Sequence, residues 1–140
     1  MTSSQGLLLD THVWLRYQGF PKALRETAEA AIDEAAAANA VFVSVISVWE
    51  IAMLEHDGKI QLDGGVDRWS QQALSMPGIS LLPFSPLIAI ESVKLPEPMH
   101  KDPADRILVA SARIEKLRLV TSDKAVLAFA KTSGLAHLRA

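Results

Sequence analysis

Four acids in four separated segments carry the chemistry that this chain could perform: Asp10, Glu50, Asp105 and Asp123. Asp10 closes the apolar run Leu7-Leu8-Leu9 and is the first charged residue of the chain. Glu50 is alone among the charges of Val45-Ile46-Ser47-Val48-Trp49-Glu50-Ile51-Ala52-Met53-Leu54. A helix so apolar around its circumference is expected to be mostly buried, and a glutamate in it is costly unless something pairs with it. Asp102 and Asp105 bracket Pro103-Ala104 at a helix start, and Asp123 follows Leu119-Val120-Thr121. If these acids meet, they repel: two carboxylates ~4 Å apart cost roughly 4 kcal/mol at an effective dielectric near 20. Protonation or a cation must relieve that repulsion. Hard oxygen donors in a chain without cysteine favour Mg2+ or Mn2+ over zinc. An oxygen-ligated divalent ion that keeps its waters suits phosphodiester hydrolysis.

The elements decide whether the acids can meet. Leu7-Leu8-Leu9, Val41-Phe42-Val43, Ile79-Ser80-Leu81-Leu82 and Leu119-Val120 are apolar runs of strand length bounded by turn signals, and a further short strand is expected near 136–138. Helical patterns fill the gaps: from Pro21 to about Ala38, Val45 to Glu55, Val66 to Ser75, from Ser85-Pro86 onward, Pro103 to Lys116, and Asp123 to Thr132 with Gly134 as its stop. Buried strands alternating with helices predict an α/β fold, a three-layer α/β/α sandwich around a parallel sheet of four to five short strands. Asp10 and Asp123 then lie at carboxyl ends of strands, Asp105 lies in the first turn of a helix, and Glu50 lies within two turns of the helix leaving Val41–Val43. Carboxyl ends of strands form the ligand crevice of open α/β sheets, so the four acids are predicted to converge there.

Each acid also has a plainer reading. Asp102-Pro103-Ala104-Asp105 is what a well-capped helix looks like, with aspartate at the N-cap and proline at N1; Asp102 can cap while Asp105 projects into a site. Asp123 alone reads as an N-cap and Asp10 as a turn residue. Glu50 resists such an account, because no basic partner stands near it in sequence. Thr11, Thr121, Ser44, Ser47 and Ser122 could orient carboxylates or waters, or simply cap helices. Among His12, His56, His100 and His137 there is no metalloprotease-type pairing; His12 is expected to support Asp10 through a hydrogen bond. Trp14, Trp49 and Trp69 are assigned to the core.

Composition bounds the rest. With 140 residues, one domain spanning 1–140 is expected. A hydrophobic share of 49% is that of a globular chain, and the absence of cysteine removes disulfide, thiolate-zinc and cysteine-nucleophile chemistry. Residues 69–90 are free of charge, but Pro77, Pro83 and Pro86 interrupt them, so no membrane span is expected. The first residues lack the basic start of a secretory leader, and a cytoplasmic location is expected. A net charge of −2 gives no global attraction to phosphate, so nucleic-acid binding must rest on local cations. Lys101, Arg106 and Lys124 flank the acids and are the first candidates.

Leu7-Leu8-Leu9-Asp10-Thr11-His12, Ser47-Val48-Trp49-Glu50-Ile51, Lys101-Asp102-Pro103-Ala104-Asp105-Arg106 and Val120-Thr121-Ser122-Asp123 resemble, in order and spacing, the four motif blocks of PIN-domain ribonucleases, most closely the VapC-type toxins of type II toxin–antitoxin systems. That resemblance implies a Mg2+- or Mn2+-dependent endoribonuclease whose metal ligands are Asp10, Glu50, Asp105 and Asp123, with Asp102 as a cap beside them and Thr121 supporting the site. It further implies a homodimer, an RNA substrate such as tRNA or another structured RNA, and a cognate antitoxin that lays a segment with a basic side chain over the acidic groove. Three other readings compete. A receiver-like phosphoacceptor domain would need paired acids near the first strand and a lysine after the last. A PIN-like module could have lost catalysis and kept only RNA or protein binding. A DNA nuclease could use the same acidic site.

Overall fold

The computed structural model describes residues 5–96, 99 and 101–140, so His100 lies outside the described residues. In chain order the elements are β1 (Leu7–Leu9), α1 (Thr11–Tyr17), α2 (Glu26–Ala37), β2 (Val41–Ser44), α3 (Val45–His56), α4 (Gly65–Leu74), β3 (Ile79–Leu82), α5 (Pro86–Lys94), α6 (Pro103–Glu115), β4 (Arg118–Thr121), α7 (Lys124–Ser133) and β5 (His137–Arg139). The five strands form one sheet in the order β3-β2-β1-β4-β5, every neighbouring pair parallel. Register is pinned at the centre, where Leu9 of β1 stands opposite Val43 of β2 and Val120 of β4.

Side chains alternate across the sheet, and β1 feeds both layers. Leu7 and Leu9 enter a core with Val13, Trp14, Ile32, Val41, Val43 and Ile51. Leu8 enters the opposite core with Leu108, Leu119, Val126 and Phe129. Helices α1, α2 and α4 thus cover one face and α6 and α7 the other. That is the three-layer α/β architecture the buried, non-alternating strand runs predict.

Expectations are corrected in two stretches of the chain, the one before β2 and α3. The segment after Asp10 is a helix, α1, that the periodicity did not predict. Its seven residues include β-prone valine, tryptophan and tyrosine; an N-cap and three buried apolar side chains, Val13, Trp14 and Leu15, hold it in place. The helix expected from Pro21 starts only at Glu26, with Arg25 at its N-cap position. The second correction concerns α3, of which only Ser47 and Ile51 are fully buried. Trp49 is 53% exposed instead of filling the core, and Val45 and Met53 are exposed beside it. Trp14 and Trp69 do pack together, their ring centroids 4.8 Å apart in an edge-to-face contact. Among the described residues no helix is long and apolar enough to cross a membrane.

Candidate active site

The carboxyl edge of the sheet opens into a cavity of about 420 Å³ walled by Asp10, Glu50, Asp102, Asp105 and Asp123, with His12, Arg16 and Ser122 at its sides. All four acids singled out by spacing therefore reach one space, and Asp102 joins them. The fold places Asp10 and Asp123 by a repeated device in which a strand ends and the acid caps the next helix, while Glu50 and Asp105 project from within α3 and α6. Asp10 follows β1 and accepts from the Val13 amide through Oδ1 at 2.8 Å. Asp123 follows β4 and accepts from the Val126 amide through Oδ1 at 3.0 Å. Asp102 accepts from the Ala104 and Asp105 amides through one oxygen, at 3.0 and 3.3 Å. Capping and lining are compatible, and Asp102 does both.

Hydroxyls order the acids. The buried Thr121 donates its proton to Asp10 Oδ2 and accepts at 3.1 Å from the Asp123 amide, so one side chain links the two strand-end acids. Thr11 donates to Glu50 Oε1. Its hydroxyl lies 2.9 Å from that of Ser47; having only one proton, Thr11 accepts there while Ser47 donates. Glu50, for which no partner was visible in sequence, is thus met by the hydroxyl of Thr11.

Crowding and burial raise three carboxyl groups. Asp105 is pushed up to about 7, first by desolvation and then by the neighbouring charges of Asp102, Asp123, Glu50 and Asp10. Burial raises Glu50, and the repulsion of Asp102 and Asp10 adds to it against the hydrogen bond from Thr11. Burial likewise raises Asp10, which is only 9% exposed, while Thr121, Val13 and His12 pull the other way. His12 is exposed and forms no hydrogen bond to Asp10 among the described residues; it acts through charge. Yet among the described residues no three of the His, Asp and Glu groups are placed to hold one ion directly. The donors are all hard oxygens around a polar cavity larger than a bare ion. That fits Mg2+ or Mn2+, which keep several waters and take one or two carboxylates, better than a dry cage.

The candidate cations fall in different places. Lys101 and Lys124 are exposed beside Asp102 and Asp123. Arg106 is turned away from such a role: its guanidinium donates to the carbonyl oxygens of Ser92 at 2.9 Å, Met99 at 3.3 Å and Val93 at 3.4 Å, tying α6 to the end of α5. The cation that lines the cavity is Arg16, which the sequence does not single out because α1 is not predicted from it. Its signal is the four-residue step from His12 along a helix capped by Asp10.

Comparison with known proteins agrees with this geometry. The sequence profile of the PIN domain matches residues 7–135. The chain belongs to the PIN-domain family. Ribonuclease VapC22 of Mycobacterium tuberculosis is 35% identical to this PIN domain over 118 residues, covering 84% of the chain and 87% of the relative. Among solved structures, VapBC2 from Rickettsia felis bound to a promoter DNA fragment superposes with a TM-score of 0.69 at 16% identity, covering 95% of this chain and 97% of that one. FitAcB from Neisseria gonorrhoeae superposes with a TM-score of 0.66 at 22% identity, covering 94% and 96%. A toxin–antitoxin complex from Klebsiella pneumoniae gives 0.57 at 20% identity, covering 84% and 87%. At these identities the structural likenesses establish the PIN fold.

Proposed function

We propose that this PIN domain is a Mg2+- or Mn2+-dependent endoribonuclease and the toxin of a toxin–antitoxin pair, acting in the cytoplasm. The observation that carries the reading is the five-carboxylate cavity, with Asp105 raised to about 7 by burial and by its acidic neighbours. The name of the Mycobacterium tuberculosis relative, a ribonuclease, supports the substrate class. Asp10, Glu50, Asp105 and Asp123 are the residues that would hold the hydrated ion between them, no more than two of them directly, with Asp102 at the cavity wall. When bound, such an ion polarises a phosphate oxygen and lowers the pKa of water.

The chain's own groups do the positioning. Thr121 and the Val13 amide hold both oxygens of Asp10, and Thr11 orients Glu50, so neither carboxylate must reorganise when substrate arrives. Asp105, pushed up to about 7, can hold or release a proton near neutral pH, the range in which acid–base groups are effective; burial raises Glu50 in the same direction. Lys101 and Lys124, exposed beside Asp102 and Asp123, would meet RNA phosphates outside the acids. A phosphoacceptor reading finds less support, because Asp10 is the lone acid of the first block.

The partner is an antitoxin that presents a basic side chain to the cavity; a cluster of carboxylates attracts a guanidinium, which pairs with them bidentately in place of an ion. Solved relatives that are toxin–antitoxin complexes favour this reading. A second copy of the chain is proposed to cover the exposed apolar stripe of α3. Cleavage of tRNA or another structured RNA with Mg2+ or Mn2+, compared with EDTA and with Asp10→Asn, tests the assignment. Cleavage should require both the ion and Asp10, leaving 5′-phosphate and 3′-hydroxyl ends. Activity surviving EDTA and the substitution would reject the mechanism, and an inert wild-type chain would leave only a binding module.

A further inference from the structure

Beside the acidic cavity lies a second of about 430 Å³ with the opposite charge, lined by Arg16, Lys22, Arg25 and Arg139, with Ser122 on its wall. Arg16 and Ser122 line both cavities, so the two are contiguous. No acidic side chain lines the second cavity, and none of its four cations forms an ion pair with an acid among the described residues. Three elements bring them together: α1 supplies Arg16, the segment between α1 and α2 supplies Lys22 and Arg25, and β5 supplies Arg139. The parallel register sets Arg139 opposite Thr121, the residue that holds Asp10, so the basic cavity adjoins the catalytic edge of the sheet.

Four like charges in one cup repel and stay solvated unless an anion arrives. Lys22, Arg25 and Arg139 are exposed, so the charge is accessible. A polyanion that must place one phosphodiester against five carboxylates is repelled by them, and it needs compensation close by that a chain of net charge −2 does not offer globally. Resting on the ribonuclease reading above, we propose that this basic cavity binds a backbone phosphate of the RNA strand next to the one being cut. The strand then runs from the carboxylates past Arg16 into the cup, whose cations supply affinity and register and no base recognition. Arginines match phosphate oxygens in bidentate fashion, and Lys22 adds a flexible point charge.

The experiment compares Lys22→Ala/Arg25→Ala/Arg139→Ala with a charge-matched control, Lys59→Ala/Lys94→Ala/Lys131→Ala. All six residues are exposed, and those of the control lie outside both cavities. Binding of a fluorescently labelled RNA stem–loop is measured by anisotropy over a salt series in the inactive Asp10→Asn background, and cleavage is measured with Asp10 intact. The cavity variant should bind about tenfold more weakly than the control, with a salt dependence shallower by about 0.7 in log–log slope for each phosphate that is no longer neutralised. In cleavage its KM should rise while kcat stays within about twofold. Equal affinity of the two variants, with wild-type cleavage intact, overturns the basic cavity and leaves the ribonuclease reading standing. An inert wild-type chain overturns both. Unchanged RNA affinity with abolished binding of a polyglutamate peptide would give the cup to an acidic protein segment and likewise overturn the proposal.

Discussion

One hydroxyl, that of Thr121, joins two of the acids on which the site depends: it donates to Asp10 and accepts from the Asp123 amide. Thr121→Val keeps the shape and removes both bonds, leaving a desolvated carboxylate oxygen without its donor. The cost expected is roughly 1–3 kcal/mol of stability and about 10–100-fold in kcat, the usual size for removing a group that orients a ligand; a Thr121→Ser variant that keeps near-normal cleavage would confirm that the hydroxyl matters. Asp105 gives the pH prediction. Its carboxyl group titrates near 7 in the fold against 3.8 for an unperturbed aspartate, so between those values the folded chain binds more protons than the unfolded one. Stability contributed by this group is therefore greatest at low pH and is lost as pH rises through about 7. The melting temperature of metal-free protein should fall from pH 5.5 to pH 8, whereas Asp105→Asn should flatten the curve and melt a few degrees higher at pH 8 while losing cleavage by about 100-fold or more. A metal-free profile that climbs with pH would contradict the repulsion at its source. The acids themselves were legible in sequence, because a lone charge in an apolar run or at a strand end is conspicuous. What satisfies them was not, because Thr11–Glu50 and Thr121–Asp10 are tertiary pairings across 39 and 111 positions.

At the scale of elements, strand ends and helix caps do the positioning, and glycine permits the close approaches. Gly78, just before β3, has φ +86°, and a Cβ there would stand 2.0 Å from the Ala36 carbonyl oxygen at the end of α2. Gly134, the C-cap of α7, has a similar φ of +75° but no atom within 4 Å of a Cβ. Both replacements by alanine incur the left-handed penalty of about 1–2 kcal/mol. Only Gly78→Ala must also push α2 off the sheet, a backbone clash that adds about 1–3 kcal/mol or more. Denaturant unfolding of the two variants should therefore separate them clearly, with Gly78→Ala the less stable; equal losses would mean that α2 yields freely. The five strands and six of the helices were legible, since buried parallel strands read as short apolar runs and helices announce themselves by caps such as Ser85-Pro86 and Asp102-Pro103. Helix α1 was not: at seven residues it is too short for periodicity, and its side chains favour strands. Only the cap from Asp10 and the burial of Val13, Trp14 and Leu15 decide its form. Missing α1 meant missing Arg16, and with it the junction between the acidic and basic cavities.

For the whole molecule, the puzzle in the sequence was a helix apolar on every side with one glutamate in it. The fold answers half of it: Ser47 and Ile51 face inward, and Glu50 turns to the cavity. The other half is the stripe Val45, Trp49 and Met53, spaced four residues apart along one side of α3 and exposed at 39, 53 and 43%. Residues at such spacing form one continuous helical face, and α5 adds Leu87, Ile90 and Val93, also exposed. Faces of this kind on a globular chain mark contact surfaces, and a second copy is the partner always at hand, offering the same apolar stripe to itself about a twofold axis. The chain should elute as a dimer in size-exclusion chromatography with light scattering at micromolar concentration. Trp49→Glu and Met53→Glu should each yield monomers, because a charge placed in the stripe must be desolvated to reform the contact. Both positions point to solvent in the single chain, so the monomers should keep the circular dichroism of the wild type. Dimers that survive both substitutions would move the contact elsewhere, and a wild-type chain that is monomeric throughout would leave α3 without a partner of its own kind. Since Trp49 and Glu50 are adjacent on that helix, loosening the dimer should reach the cavity as well. Monomeric variants should cleave RNA several-fold more slowly than the dimer, at equal protein concentration and equal fold content.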